Sequence, residues 1–220
     1  MSFLFVPLPE NNPDRIFREI KKYPEADGFE VWIDQFENLT EQIVERFCRK
    51  FRKITSKKLL IACKDRCEQG KFSWSRNERL NLLLAASRGG ADMIDIADLP
   101  FETKTKSTLI GSYHNFKKTP SPQVLRKKME QLQRNGATII KIACRVHELK
   151  DNETLMTLAL EMRGKKLRHI VIGMGEKGML TRAFSDQIGN EITFVAGEKR
   201  TADGQISLQD FLHIQRIWQR

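Results

Sequence analysis

Long hydrophobic runs are missing from this sequence. No apolar stretch approaches the roughly 18 residues that a membrane-spanning helix needs, which excludes a helical integral membrane protein. The opening MSFLFVPLPENNP carries no basic residue ahead of its apolar stretch, so it reads as a first strand and not as a signal peptide. A cytoplasmic protein is the expectation. Cysteine is scarce as well. Cys48, Cys63, Cys67 and Cys144 form no paired C-x-x-C units with zinc spacing, and His147 is the one further ligand candidate in a suggestive place. Reduced, mostly buried thiols without a bound metal are therefore expected. Also absent are an arginine-rich arm, a zinc finger and an RNA-binding aromatic motif. The formal net charge of +10 is spread in pairs, such as Lys21 and Lys22, Lys57 and Lys58, Lys117 and Lys118, and Lys165 and Lys166. Solvated element ends, or a field that draws a small anionic substrate, account for this basicity; nucleic acid is not the expected partner.

What is present is enough for one well-packed domain. The 220 residues are 40% hydrophobic, without a low-complexity linker or an internal repeat. Short apolar or β-branched runs recur at Phe3 to Pro7, Phe29 to Asp34, Leu59 to Lys64, Met93 to Ala97, Thr108 to His114, Thr138 to Ala143, His169 to Met174 and Thr193 to Ala196. Helical spacing lies between them, as in Ile16 and Ile20, then Leu39, Ile43 and Phe47. Pro13-Asp14 and Ser121-Pro122 mark helix starts. A helix is expected between the fourth and fifth strands as well, although that connection is short. Strand and helix alternating about eight times predict parallel strands with right-handed crossovers. The count favours a closed (β/α)8 TIM barrel, a single α/β domain over residues 1–220, above an open doubly wound sheet.

Active sites of such barrels form at the carboxyl ends of the strands, so polar residues there carry weight. Lys141 stands inside Thr-Ile-Ile-Lys-Ile-Ala, where a central strand should be apolar on both faces. Burial disfavours its charge, and a neutral amine in a dry pocket attacks carbonyls to form imines. The competing reading pairs it with a core carboxylate. His114 ends the fifth strand, and its ordinary pKa suits proton transfer near neutrality; a capping histidine is the alternative. His147, His169 and His213 read as structural. Gly173-Met-Gly175-Glu-Lys-Gly178 matches G-x-G-x-x-G, yet too little chain follows for a second mononucleotide-binding half, and no acidic residue ends a strand about twenty residues on. A turn whose backbone approaches an anionic group, with Arg182 nearby, is the expected use.

Four segments in this order and spacing resemble type I 3-dehydroquinate dehydratases over nearly the whole chain: Ser112-Tyr-His114-Asn-Phe with Thr119-Pro120, Gly136-Ala-Thr-Ile-Ile-Lys141-Ile-Ala, Met174-Gly-Glu-Lys-Gly-Met-Leu-Thr-Arg182, and Ala202-Asp-Gly-Gln205. The resemblance implies dehydration of 3-dehydroquinate to 3-dehydroshikimate in the shikimate pathway, without metal or cofactor, by a protein that is usually a dimer. It makes Lys141 the imine-forming residue, His114 the proton-transfer group and Glu68 the carboxylate that orients His114. Arg182 would grip the substrate carboxylate, Thr201 and Gln205 would close over the substrate, and Glu30 is the acidic residue of an E-x-R motif. Several positions depart from the pattern. That motif's arginine is Trp32, read as removing both charge and donors; a second, substrate-contacting arginine four residues before Glu68 is Lys64, expected to bind substrate with its charge kept and the fork geometry lost; a D-x-E reads Asp95-Ile-Ala97; and a loop proline is Asp203. The rival readings are a silent barrel kept as a binding module and another Schiff-base lyase such as an aldolase. Such dehydratases are sometimes fused to shikimate dehydrogenase, so Trp218-Gln-Arg220 reads as a terminus or as a boundary.

Overall fold

The computed structural model describes residues 1–71 and 73–218; Gln219 and Arg220 of the boundary question lie outside the described residues. In chain order the elements are β1 (Phe3–Leu8), α1 (Pro13–Glu19), β2 (Gly28–Trp32), α2 (Glu41–Ile54), β3 (Lys58–Ala62), α3 (Arg76–Arg88), β4 (Met93–Ala97), β5 (Thr108–Asn115), α4 (Pro122–Arg134), β6 (Ile139–Arg145), α5 (Leu149–Gly164), β7 (His169–Met174), α6 (Met179–Ala183), β8 (Ile192–Phe194) and α7 (Leu208–Trp218). The strands pair in parallel in the order β7-β6-β5-β4-β3-β2-β1-β8, the (β/α)8 barrel predicted. Strand boundaries shift by up to two residues. Ile33 and Asp34, read as the end of the second strand, lie instead in a short 3-10 helix, Ile33–Gln35.

The alternation of side chains along each strand divides the core in two. Phe29, Val31, Leu59, Ile61, Ile94 and Ile96 face outward against α1 to α3, and Ile140, Ile142, Cys144 and Val171 face α4 and α5. The barrel interior is filled by Phe5, Leu60, Met93, Ile110, Ile139, Ile170, Ile172, Ile192 and Phe194. Phe5 fits because Gly28 has no side chain: a Cβ there would lie 2.5 Å from the Phe5 ring. Helices form where caps and apolar spacing agree. Thr40 caps α2 by accepting from the Ile43 amide, and Val44, Phe47, Cys48 and Phe51 make its buried stripe. Pro13 and Pro122 occupy first-turn positions of α1 and α4, as expected.

One connection departs from strict alternation, and one seam of the barrel is closed without a strand ladder. Residues 98–107 between β4 and β5 form no helix; Phe101 packs on the barrel there, its amide donating to Asn135 O at 3.0 Å. At that seam, the Glu191 amide donates to His169 O at 2.8 Å, and the Asn190 side chain takes the place of a strand partner for β7. Its Oδ1 accepts from the Val171 amide at 2.8 Å, and its Nδ2 donates to Val171 O at 3.1 Å. An amide side chain thus satisfies backbone groups that would otherwise stay orphaned. Among the described residues no helix is long and apolar enough to cross a membrane. Cys48, Cys63 and Cys144 are buried free thiols that burial pushes up to about 12, whereas Cys67 is exposed.

Candidate active site

Strand parity delivers the polar residues. Where β2, β4, β5 and β6 turn Phe29 and Val31, Ile94 and Ile96, Leu109, and Ile140 and Ile142 outward, they turn Glu30, Asp95, Ser112, His114 and Lys141 inward. Glu30, His114 and Lys141 meet at the carboxyl end of the barrel in a chamber of about 120 Å³, with Asp95 and Ser112 behind Lys141. Glu30, Lys64, His114, Lys141, Arg182, Thr201 and Gln205 line it together; Glu68, the remaining predicted residue, stands behind His114. A wider vestibule of about 680 Å³ lies outside and shares Gln69, Phe116, Met174, Thr201 and Ala202 with the chamber.

Lys141 is 5% exposed, and its Nζ lies 3.4 Å from both Glu30 Oε1 and Asp95 Oδ2, above the Phe194 ring. This corrects the expectation of a neutral amine. Burial does oppose the ammonium, but the two carboxylates outweigh it and the net direction of the Lys141 pKa is upward. The resting lysine is charged and paired, so it must lose a proton before it can attack. Burial raises the pKa of each carboxylate, but the Lys141 charge lowers it and the net direction for both is down. Asp95 is further held by Ser112 Oγ at 2.7 Å and by the Ala97 amide at 2.9 Å, with Ala97 in a left-handed conformation at φ 51°.

His114 stacks on Phe116 with an interplanar angle of 6°, and its Nδ1 faces Glu68 Oε1 at 3.5 Å. Glu68 sits in a 3-10 turn capped by Asp65, and Arg79 of α3 donates to its Oε2 at 2.7 Å. Arg79 is itself fixed by donation to Cys63 O. Burial raises the Glu68 carboxyl, but His114 and Arg79 outweigh it and hold the group below its ordinary value. Behind the histidine there is thus a carboxylate, and behind the carboxylate an arginine.

Arg182 projects from α6 with 6% of its surface exposed. It donates to Phe194 O at 3.4 Å, its Nε has no partner, and among the described residues no carboxylate pairs with it. Burial pushes it down to about 10. An uncompensated guanidinium held in a chamber is a receptor for an anion, and its planar fork suits a carboxylate. Thr201 donates to Gln205 Oε1 from its amide at 2.9 Å and its hydroxyl at 3.1 Å.

Two further expectations change. Trp32 loses the charge but keeps a donor: its Nε1–H donates to Glu30 Oε2 at 2.8 Å, and its ring carries Lys64 Nζ 3.4 Å from the centroid. The glycine amides of the Gly173–Gly178 turn are taken up within the protein, that of Gly173 by Thr181 Oγ1 and that of Gly178 by Gly175 O. The Gly175 amide donates to Asp203 O, and Gly204 packs so closely that a Cβ would lie 2.1 Å from Gly175 O. With the Arg145–Asp203 ion pair at 2.7 Å, the turn braces the loop that follows β8.

The family model described as type I 3-dehydroquinase matches residues 4–220. The chain belongs to the type I 3-dehydroquinase family. A 3-dehydroquinate dehydratase of Thermodesulfovibrio yellowstonii is 36% identical over 200 residues, covering 87% of this chain and 85% of the relative. A crystal structure of the type I 3-dehydroquinate dehydratase of Clostridium difficile with covalently modified comenic acid matches at TM-score 0.88 and 26% identity, covering 99% of this chain and 92% of that one. The 3-dehydroquinate dehydratase of Geobacillus kaustophilus shares the fold at TM-score 0.89 and 23% identity, covering 100% and 91%. Within this type I 3-dehydroquinase fold, three residues do work at the site that the sequence reading did not assign to them: Asp95, Ser112 and Arg79. An aspartate inside the apolar run Met-Ile-Asp-Ile-Ala was the available signal for the first, since an unpaired carboxylate is not buried.

Proposed function

We propose that this protein dehydrates 3-dehydroquinate to 3-dehydroshikimate, in the shikimate pathway of aromatic biosynthesis, through an imine at Lys141. The observation that carries the reading is one buried amine flanked by two carboxylates, in a chamber that also holds an uncompensated arginine. Membership of the family and the name of the 36% identical relative support the substrate.

In this mechanism Lys141 gives up a proton and its Nζ adds to the ketone carbon; loss of water leaves an iminium. The positive charge is then back on the same nitrogen, so Glu30 and Asp95, placed for the ammonium, need not reorganise for the iminium. The iminium draws electrons from the neighbouring C–H, whose proton goes to His114. The resulting enamine expels the hydroxyl two carbons from the iminium carbon as a C=C bond forms, and His114 returns the proton so that water departs. Addition of water to the iminium frees the ketone and the lysine. Glu68 orients His114, Arg182 takes the substrate carboxylate, Lys64 and Glu30 face its hydroxyls, and Thr201 and Gln205 close the chamber. The same reading makes residues 1–220 one domain acting in the cytoplasm as a homodimer, with Met179, Leu180, Ile217 and Trp218 as an exposed apolar face for the partner.

Borohydride reduction in the presence of 3-dehydroquinate, followed by intact mass, tests the reading. One reduced adduct is expected, absent from Lys141→Ala, whose turnover should fall by more than about 10⁴-fold. No adduct on correctly folded wild-type protein would leave a silent barrel.

A further inference from the structure

We propose that Trp32 is a positioning residue that reserves Glu30 for Lys141: its indole N–H holds the Glu30 carboxylate, and its ring face keeps the Lys64 ammonium off that carboxylate. The functional meaning of this role rests on the reading of Lys141 as nucleophile, but the contacts stand by themselves.

Each of the two carboxylates beside Lys141 has one oxygen toward the lysine and the other tied from behind. For Asp95 the tie is Ser112 Oγ and the Ala97 amide. For Glu30 it is Trp32 Nε1 at 2.8 Å. A carboxylate anchored at one oxygen keeps the other aimed, and an indole N–H is a donor that cannot become an acceptor. The chamber also contains a second amine. Lys64 lines it, yet among the described residues Lys64 makes no ion pair, although it and Glu30 feel each other's charge. A lysine beside a buried carboxylate ordinarily pairs with it. Here its Nζ lies on the Trp32 ring instead, 3.4 Å from the centroid, a seat that an aromatic face supplies to a cation. One side chain thus both fastens Glu30 and holds its competitor, leaving Lys64 free to meet a ligand.

The groups that set the local field are Glu30 on β2, Asp34 just after β2, whose Oδ1 accepts from the Lys64 amide at 3.1 Å, Lys64 after β3, Asp95 on β4, His114 on β5, Lys141 on β6 and Arg182 on α6, with Glu68 behind His114. If Trp32 is removed, Lys64 can swing to Glu30, and Lys141 keeps Asp95 as its one undivided counter-charge. Reductive methylation with formaldehyde and cyanoborohydride, read peptide by peptide across pH, reports the availability of each amine without the substrate. In the wild type, Lys64 should react at lower pH than Lys141. In Trp32→Leu, the Lys141 midpoint should fall by about one pH unit, the scale of one lost neighbouring charge, while the Lys64 midpoint rises. Lys64→Met in the Trp32→Leu background should bring the Lys141 midpoint back. Trp32→Phe, which keeps the ring and loses the N–H, should move it less than Trp32→Leu and guards against a folding defect, checked by circular dichroism. An unmoved Lys141 midpoint in Trp32→Leu, or a shift that Lys64→Met does not reverse, overturns the proposal. Because the probe is formaldehyde, failure of the dehydration reading shows separately, as absence of an adduct with 3-dehydroquinate.

Discussion

Lys141 and Arg182 line one chamber, and both are almost inaccessible to solvent, yet the protein surrounds them differently. Lys141 has two carboxylates at 3.4 Å, each fastened by its own donor. Among the described residues, Arg182 has one long bond to a carbonyl and an Nε with nothing to donate to. Burial opposes both charges, and the outcomes diverge: the lysine's proton is held more tightly than usual, the arginine's less. A cation that completes its own set of counter-charges belongs to the machinery. A cation left without one is stabilised when a ligand brings the missing anion.

Stability should break this comparison or sharpen it. The largest effect is expected for Asp95→Asn, which takes away half of the Lys141 counter-charge; removing one partner of a buried ion pair costs about 3 kcal/mol, readable by urea denaturation. Arg182→Met should not destabilise at all, since it deletes a buried charge that has no partner, and its melting temperature should equal or exceed that of the wild type. Its cost should fall on the substrate, with KM rising about 30-fold or more, the size expected for losing one partner of a buried charge pair. If Arg182→Met lowers stability as much as Asp95→Asn, the distinction between the two cations is wrong.

The smallest effect concerns Glu68. Its folded pKa lies below its ordinary value of 4.5, so its contribution to stability is fully present above that value and is lost as pH falls through the folded value. Glu68→Gln should therefore flatten the acid limb of the stability profile below about pH 4.5. Near neutrality the same variant should slow turnover, because His114 loses its orienting partner while Lys141 still forms the adduct. A variant with an unchanged acid limb would place Glu68 outside the Arg79–Glu68–His114 relay.

The eight-strand pattern was legible from its repeat, and the lysine, histidine and arginine of the site because each breaks a local rule: a lysine in an apolar strand, a histidine closing one, an arginine after a glycine turn. The supporting contacts were not. Asp95 meets Lys141, and Trp32 meets Lys64, only after strands far apart in the chain are brought into register. Read singly, Asp95-Ile-Ala97 and Trp32 looked like losses from a pattern. In the folded protein the aspartate completes the setting of Lys141, and the tryptophan retains a donor where none was expected. The charge state of Lys141 was misread for the same reason, since burial is visible in one strand and compensation only across three.

The seam between β7 and β8 bears on how the chain assembles. Seven strands form a continuous curled sheet through neighbouring ladders, whereas β8 joins β1 by a ladder and β7 through Asn190 and a single amide at Glu191. During synthesis β1 to β7 can therefore order before β8 has left the ribosome, and the ring closes last, when contacts between the two ends of the chain repay the entropy of joining them. A seam held by one asparagine side chain and one backbone bond should be where the native ring first reopens, so amide hydrogen exchange at Val171 should run ahead of that in the inner strands.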